Sequence, residues 1–147
     1  MPLTFYKKPA LVVYVTCGDP DLATTRKIVL AAIEAGADVT FVEAPETLDE
    51  VRRIPSLLRV PQIINLVAGG KTPIVPASEL ASMGYAIVLY ANAALQGAIA
   101  GMQTALGELK ARGMIDEGSG KIATFAERQK LVQKPLFDEL EKKYSSE

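Results

Sequence analysis

The chain has 147 residues, enough to bury one core but short of the roughly 250 that a complete eight-fold βα barrel takes. With 49% apolar residues, 22% charged residues and a net charge of -1, the composition fits a soluble globular protein and excludes a nucleic-acid or anionic-membrane footprint. There is no histidine and one cysteine, Cys17, which removes intramolecular disulfides, His-based or Cys-rich metal clusters and thiol-imidazole pairs.

Taken in chain order, four short apolar, β-branched runs at residues 11–16, 39–44, 62–67 and 86–90 are each followed by a helix-start signal. Continuous apolar strands of this kind predict a parallel sheet covered by helices. After the first run, Asp19-Pro20-Asp21 offers an N-cap carboxylate with proline at the first helical position, and the helix stops at Gly36. After the second, Thr47-Leu48-Asp49-Glu50 is a capping box, with Leu48, Val51 and Ile54 as an apolar stripe before Pro55. The third run leads into a long connection, residues 68–77, then a short helix through Leu80 and Met83 to Gly84.

After the fourth run, Asn92 is an expected N-cap, and Leu95, Ala98, Ile99, Met102, Leu106 and Leu109 share one helix face up to Gly113. No charged residue lies between Glu79 and Glu108, so a sliding window flags residues 85–106 as a membrane span. The interrupting Gly84, Asn92, Gln96, Gly97, Gly101 and Gln103 favour a buried strand and an apolar-faced helix instead. Gly118-Ser119-Gly120 reads as a flexible break. Two helices without strands follow, one opened by the capping box Thr124-Phe125-Ala126-Glu127 and one by Pro135. The last carries Leu136, Phe137, Leu140 and Tyr144 as an amphipathic arm. No signal-peptide pattern is visible at the N-terminus, so a cytoplasmic location is expected.

Several separated motifs share one likeness: Gly36-Ala37-Asp38, Phe41-Val42-Glu43-Ala44-Pro45, Asn65 followed by Gly69-Gly70-Lys71-Thr72-Pro73, and Thr124-Phe125-Ala126-Glu127-Arg128. In this order they resemble the C-terminal half of the isocitrate lyase/phosphoenolpyruvate mutase superfamily, nearest to its oxaloacetate decarboxylase and methylisocitrate lyase-like branch. The resemblance implies an α/β fold: a TIM-barrel-derived half barrel of four parallel βα units plus two C-terminal helices. Residues 11–21, Leu-Val-Val-Tyr-Val-Thr-Cys-Gly-Asp-Pro-Asp, look instead like the opening unit of the tryptophan synthase alpha subunit. That likeness ends at Gly36-Ala37-Asp38, and its catalytic glutamate would fall on Phe41. The switch suggests a single half-barrel domain with a tryptophan synthase alpha-like unit at 1–38, lyase-like units at 39–113 and a helical tail at 114–147. A chimera of two barrel families is one origin for it, and a divergent natural gene is the other.

The superfamily resemblance implies a magnesium ion held by an Asp-x-Asp strand. The only such triplet, Asp19-Pro20-Asp21, sits at a helix start and fits capping better than metal binding. Glu43 and Asn65 match family positions that contact substrate or order its carboxylate surroundings, and they are the candidate substrate-binding residues. No catalytic residue and no metal ligand is assigned. Gly69-Gly70-Lys71-Thr72 is not a Walker loop, since Asn65 stands where the first glycine belongs, and a plain loop is favoured over weak anion binding. Cys17, without a base to activate it, reads as a semi-buried small residue.

A half barrel leaves two open sheet edges and apolar surface, which favours association. The expected partners are therefore a second copy of the chain, as homodimer or higher oligomer, and a small carboxylate ligand, with neither nucleic acid nor membrane. A flattened, flavodoxin-like monomer is the alternative layout. With the metal ligands missing, the primary expectation is a self-associating scaffold without efficient catalysis and without a cofactor. The alternative is a carbon-carbon lyase or decarboxylase of 2-oxo or 2-hydroxy dicarboxylates, to which magnesium would belong if that activity is retained.

Overall fold

Strands β1 (Val12–Thr16), β2 (Val39–Glu43), β3 (Gln62–Asn65) and β4 (Tyr85–Leu89) form one sheet in which all neighbours run parallel, in the order β1-β2-β3-β4. The computed structural model describes residues 9–145; the N-terminal residues on which the signal-peptide reading rests lie outside that range. Strand order equal to chain order decides between the two layouts. A flavodoxin-like sheet places its second strand outside the first, whereas a barrel winds its strands in sequence. The sheet is thus barrel-derived, a partial TIM-like fold.

The chain divides into two compact units, one ending at Ala93 and one beginning at Ala94. In the first, helices α1 (Leu22–Glu34), α2 (Leu48–Leu57) and α3 (Ala77–Met83) follow the first three strands. The parallel register puts Val15, Val42, Ile64 and Val88 on the face that packs into the core. One cluster joins Val51, Ile64, Leu66, Val75, Leu80 and Tyr85, and a second joins Val29, Ile33 and Val42. The opposite face carries Tyr14, Phe41, Ile63 and Ile87 in one row, with the Tyr14 and Phe41 rings meeting edge to face at 5.1 Å. Between the helical-side ends of β2 and β3, the buried Thr40 hydroxyl donates to Gln62 Oε1 at 2.7 Å, and Gln62 Nε2 donates to the Val60 carbonyl at 2.6 Å. That arrangement satisfies two polar groups that would otherwise be costly to bury.

Local signals place most of these elements, with two differences at prolines. Asp21, not Asp19, is the N-cap of α1, accepting the Thr24 N–H at 2.8 Å, and Pro20 precedes the helix after a cis peptide bond. Helix α2 does not end before Pro55 but runs through it to Leu57. Pro55 has no N–H to give the Val51 carbonyl four residues back. The Tyr85 hydroxyl supplies the missing bond instead, donating to Val51 O at 3.0 Å. A tertiary contact from β4 thus lets the helix continue. Gly84 closes α3 in the left-handed conformation at φ +103°, as its sequence position suggests.

The second unit holds α4 (Ala93–Arg112), a 3₁₀ turn at Glu117–Ser119, α5 (Phe125–Leu131) and α6 (Lys134–Tyr144). Asn92, expected as an N-cap, lies before α4 in the left-handed region at φ +68°, whereas N-caps adopt extended backbone. The Gly118-Ser119-Gly120 stretch is a hydrogen-bonded turn rather than a flexible break: the Phe125 N–H reaches Glu117 Oε1 at 2.6 Å, and Lys121 and Arg112 both pair with Glu108. Helix α4 forms as its periodicity predicts, but its apolar stripe is not covered, and no residue of α4, α5 or α6 is buried. Among the described residues no helix is long and apolar enough to cross a membrane.

Candidate functional site

Glu43 is the last residue of β2 and Asn65 the last of β3. Their positions at the C-terminal ends of adjacent parallel strands follow from strand length and parity: both belong to the face that also bears Phe41 and Ile63, one step along each strand. This is the end of a βα barrel at which ligands are bound. The two side chains meet, with Asn65 Nδ2 donating to Glu43 Oε1 over a long 3.4 Å. The outer oxygens, Glu43 Oε2 and Asn65 Oδ1, are shut off from solvent and, among the described residues, accept no hydrogen bond. Buried oxygens in that state are unfavourable by about 1–3 kcal/mol each, so the pair is a standing demand for a donor.

The backbone beside the pair is strained. Ala44 is held at φ +57°, a left-handed conformation that costs a non-glycine residue roughly 1–2 kcal/mol, directly before the fully buried Pro45. Nothing in a sequence signals this for an Ala-Pro pair, yet it is the turn that carries the chain away from Glu43. From there Thr47 opens α2: its hydroxyl accepts the Glu50 N–H, and the Glu50 carboxylate takes the N–H groups of Glu46 and Thr47. Glu46 in turn pairs with Lys71 at 2.9 Å, which ties the β3–α3 loop to the end of β2.

That pairing answers the question posed by Gly69-Gly70-Lys71-Thr72. Lys71 is engaged by Glu46, Thr72 is buried, and the Gly70 N–H closes a turn on Val67 O at 2.8 Å. A side chain at position 70 would press to 3.0 Å from that carbonyl, so the glycine is required by packing of the loop rather than by a phosphate. The sequence pointed to the loop but could not identify Glu46 as its anchor.

Cys17 lies on the helical side of the sheet, with its N–H bonded to Glu43 O at 2.7 Å. Burial pushes its thiol pKa up, and Glu50 and Glu46 push it further, the reverse of what a nucleophile needs. It lines an apolar cavity of about 250 Å³ between α1 and α2 together with Val29, Val42 and Ile54. The cavity opens on the face away from Glu43 and Asn65. No group of three His, Cys, Asp or Glu side chains converges among the described residues. Magnesium seeks octahedral oxygen coordination, and Glu43 with Asn65 supplies one carboxylate and one amide oxygen. The described residues do not make a magnesium site.

Parallel strands wound in chain order, with paired polar side chains at their C-terminal ends, define a partial TIM-barrel-type fold. No family model matches the chain, but individual relatives do. Carboxyvinyl-carboxyphosphonate phosphorylmutase of Arabidopsis thaliana is 35% identical over 114 residues, 78% of this chain and 34% of the relative. The 2,3-dimethylmalate lyase of Eubacterium barkeri is 32% identical over 117 residues, 80% of this chain and 40% of the relative. A crystal structure of 2,3-dimethylmalate lyase, a PEP mutase/isocitrate lyase superfamily member, superposes with a TM-score of 0.73 at 26% identity, covering 91% of this chain and 48% of that one. The chain is a partial barrel of the PEP mutase/isocitrate lyase superfamily, spanning less than half the length of these relatives.

These relatives correct the expectation of a scaffold without efficient catalysis. They are named as a lyase and a phosphorylmutase, and a match of 114 residues within 147 necessarily includes both Glu43 and Asn65. The scaffold reading gave decisive weight to missing metal ligands. The resemblance to named enzymes across the strands that bear the polar pair favours the lyase alternative.

Proposed function

We propose that the chain carries a substrate-contacting face of a carbon-carbon lyase or decarboxylase that acts on 2-hydroxy or 2-oxo dicarboxylates. The observation that supports this reading is the pair of buried oxygens, Glu43 Oε2 and Asn65 Oδ1, without a donor. A 2-hydroxy acid brings the donor that Glu43 lacks: its hydroxyl donates to Glu43 Oε2, and the Asn65 Nδ2 group donates to the adjoining carboxylate. Cleavage then proceeds as the hydroxyl proton passes to Glu43. The hydroxyl oxygen becomes a carbonyl, the bond between the carbinol carbon and its neighbour breaks, its electron pair leaves with the enolate, and the enolate takes up the proton that Glu43 returns directly or through water. The small carboxylate ligand expected from the sequence is the substrate in this reading, and the name 2,3-dimethylmalate lyase of one relative indicates its class.

The experiment is to incubate the chain with 2,3-dimethylmalate, methylisocitrate or oxaloacetate, magnesium supplied, and to measure 2-oxo acid released or consumed. Glu43→Gln keeps the shape but not the proton acceptor, and its turnover is expected to fall by about 10²–10⁴-fold. No turnover of any of the three, or turnover unchanged by Glu43→Gln and Asn65→Leu, refutes the assignment.

A further inference from the structure

The core is not filled evenly. Its larger cluster, around Leu80 and Tyr85, buries six side chains, whereas the cluster under α1 buries only Val29, Ile33 and Val42 and leaves Cys17, Ile54 and Leu58 partly open against it. The space that keeps them open is the cavity of about 250 Å³ between α1 and α2. Its lining comes from consecutive elements, the end of β1, α1, β2 and α2, and is almost wholly apolar. Leu22 and Leu57 also line it and are 53% and 45% exposed, so the apolar surface runs out to solvent. Close-packed interiors seldom contain voids larger than a water molecule. An apolar cavity of about 150 Å³ takes up a benzene ring, so at the same volume per carbon this one takes a chain of about eight to ten.

Three charged side chains line the same cavity, and they differ in what they are free to bind. Glu50 turns its carboxylate to the N–H groups of Glu46 and Thr47. Arg53 reaches Asp49 at 3.5 Å with both side chains mostly in solvent, a pairing of little strength. Arg26 makes no ion pair among the described residues. Two guanidinium groups, one on each helix beside the cavity, therefore remain for a ligand, and their planar donor forks match a carboxylate.

We propose that the cavity between α1 and α2 is a binding site for a medium-chain carboxylic acid, its alkyl chain among Cys17, Val29, Val42 and Ile54 and its carboxylate held by Arg26 and Arg53. The site lies on the other face of the sheet from Glu43 and Asn65. It is independent of the lyase reading, because its tests read binding and thiol protection rather than turnover.

The test is calorimetric titration of the full chain with octanoate, hexanoate and octan-1-ol. Octanoate is expected to fill one saturable site, and hexanoate, two methylenes shorter, to bind about tenfold more weakly. Octan-1-ol has the chain without the charge and is expected to bind at least about fivefold more weakly than octanoate. Arg26→Gln with Arg53→Gln is expected to erase that difference and leave octan-1-ol binding unchanged. Cys17 reports the location: saturating octanoate is expected to slow its alkylation by N-ethylmaleimide at least about tenfold, which binding on the exposed stripe of α4 would not do. Ala23→Phe fills the cavity from α1 and, with unchanged circular dichroism, is expected to abolish both effects. Octanoate that fails to bind at about 10 mM, or binds without protecting Cys17, overturns the proposal. So does octan-1-ol binding as tightly as octanoate. Should Ala23→Phe fail to fold, the arginine pair and the Cys17 protection decide the question without it.

Discussion

The demand for a donor at Glu43 and Asn65 sets stability against function at the level of single side chains. Both outer oxygens are buried without a partner among the described residues, so the folded state carries their desolvation cost until a ligand arrives. Replacing both residues by apolar ones of similar size, Glu43→Met with Asn65→Leu, removes the cost and the partner together. Such paired replacements are neutral or stabilising where single ones are not. In urea unfolding, the double variant is expected to match or exceed the wild type, by up to about 2 kcal/mol, and to lose carboxylate binding. A double variant less stable than both single variants would mean that the pair holds the strands together rather than waiting for substrate. These two positions were legible in the sequence because each stands in a short motif at a strand end. The strained Ala44 and the Lys71–Glu46 pair were not, because a positive φ and a contact across 25 residues leave no local pattern.

Among the elements, α2 shows how far local signals reach and where they stop. Its start was legible to the residue, since Thr47 and Glu50 form the expected capping box. Its end was not, because the bond that carries the helix through Pro55 comes from Tyr85, 34 positions along the chain from Val51. Burial drives the Tyr85 phenol pKa well above its ordinary value, which keeps the hydroxyl a donor. Tyr85→Phe is expected to cost about 1–3 kcal/mol, the penalty of leaving the Val51 carbonyl unpaired. In a Pro55→Ala background, where the restored N–H can reach that carbonyl, the same change is expected to cost much less. A double-mutant cycle in urea measures the difference, and strictly additive effects would rule out the substitution of one bond by the other.

The helix caps also set the acid limit. The Thr24 N–H holds the Asp21 carboxyl below the usual range, and the Thr124 N–H does the same for Glu127. At Glu50, burial pushes upward, but the N–H groups of Thr47 and Glu46 outweigh it and the carboxyl also sits low. A carboxylate whose folded pKa lies below its unfolded one contributes stability above the unfolded value and loses it as pH falls through the folded value. Stability is therefore expected to be level from about pH 7 to 5 and to decline below about pH 4. Asp21→Asn or Glu50→Gln would lower the plateau and flatten the acid limb. An acid limb unchanged in both variants would show that other groups control it.

At the scale of the whole chain, the strand-helix grammar made the half barrel legible, but the burial of its last third was not. A stripe such as Leu95, Ile99, Met102, Leu106 and Leu109 predicts a helix with one apolar face, and α4 is that helix. Periodicity carries no information on what covers the face, and all five side chains are at least partly open to solvent. The buried apolar residues lie between Val29 and Tyr85, so cooperative stability resides in β2, β3, β4 and the helices α1 to α3 that pack on them. Helices without a buried face are marginal in water, even at 20 residues. Hydrogen exchange followed by mass spectrometry should therefore find β2 and β3 amides opening only with global unfolding, and amides of α4, α5 and α6 exchanging at least about tenfold faster. Equal protection in both units would mean that the apolar stripe of α4 is covered in solution, and the cooperative core would then extend to residue 145.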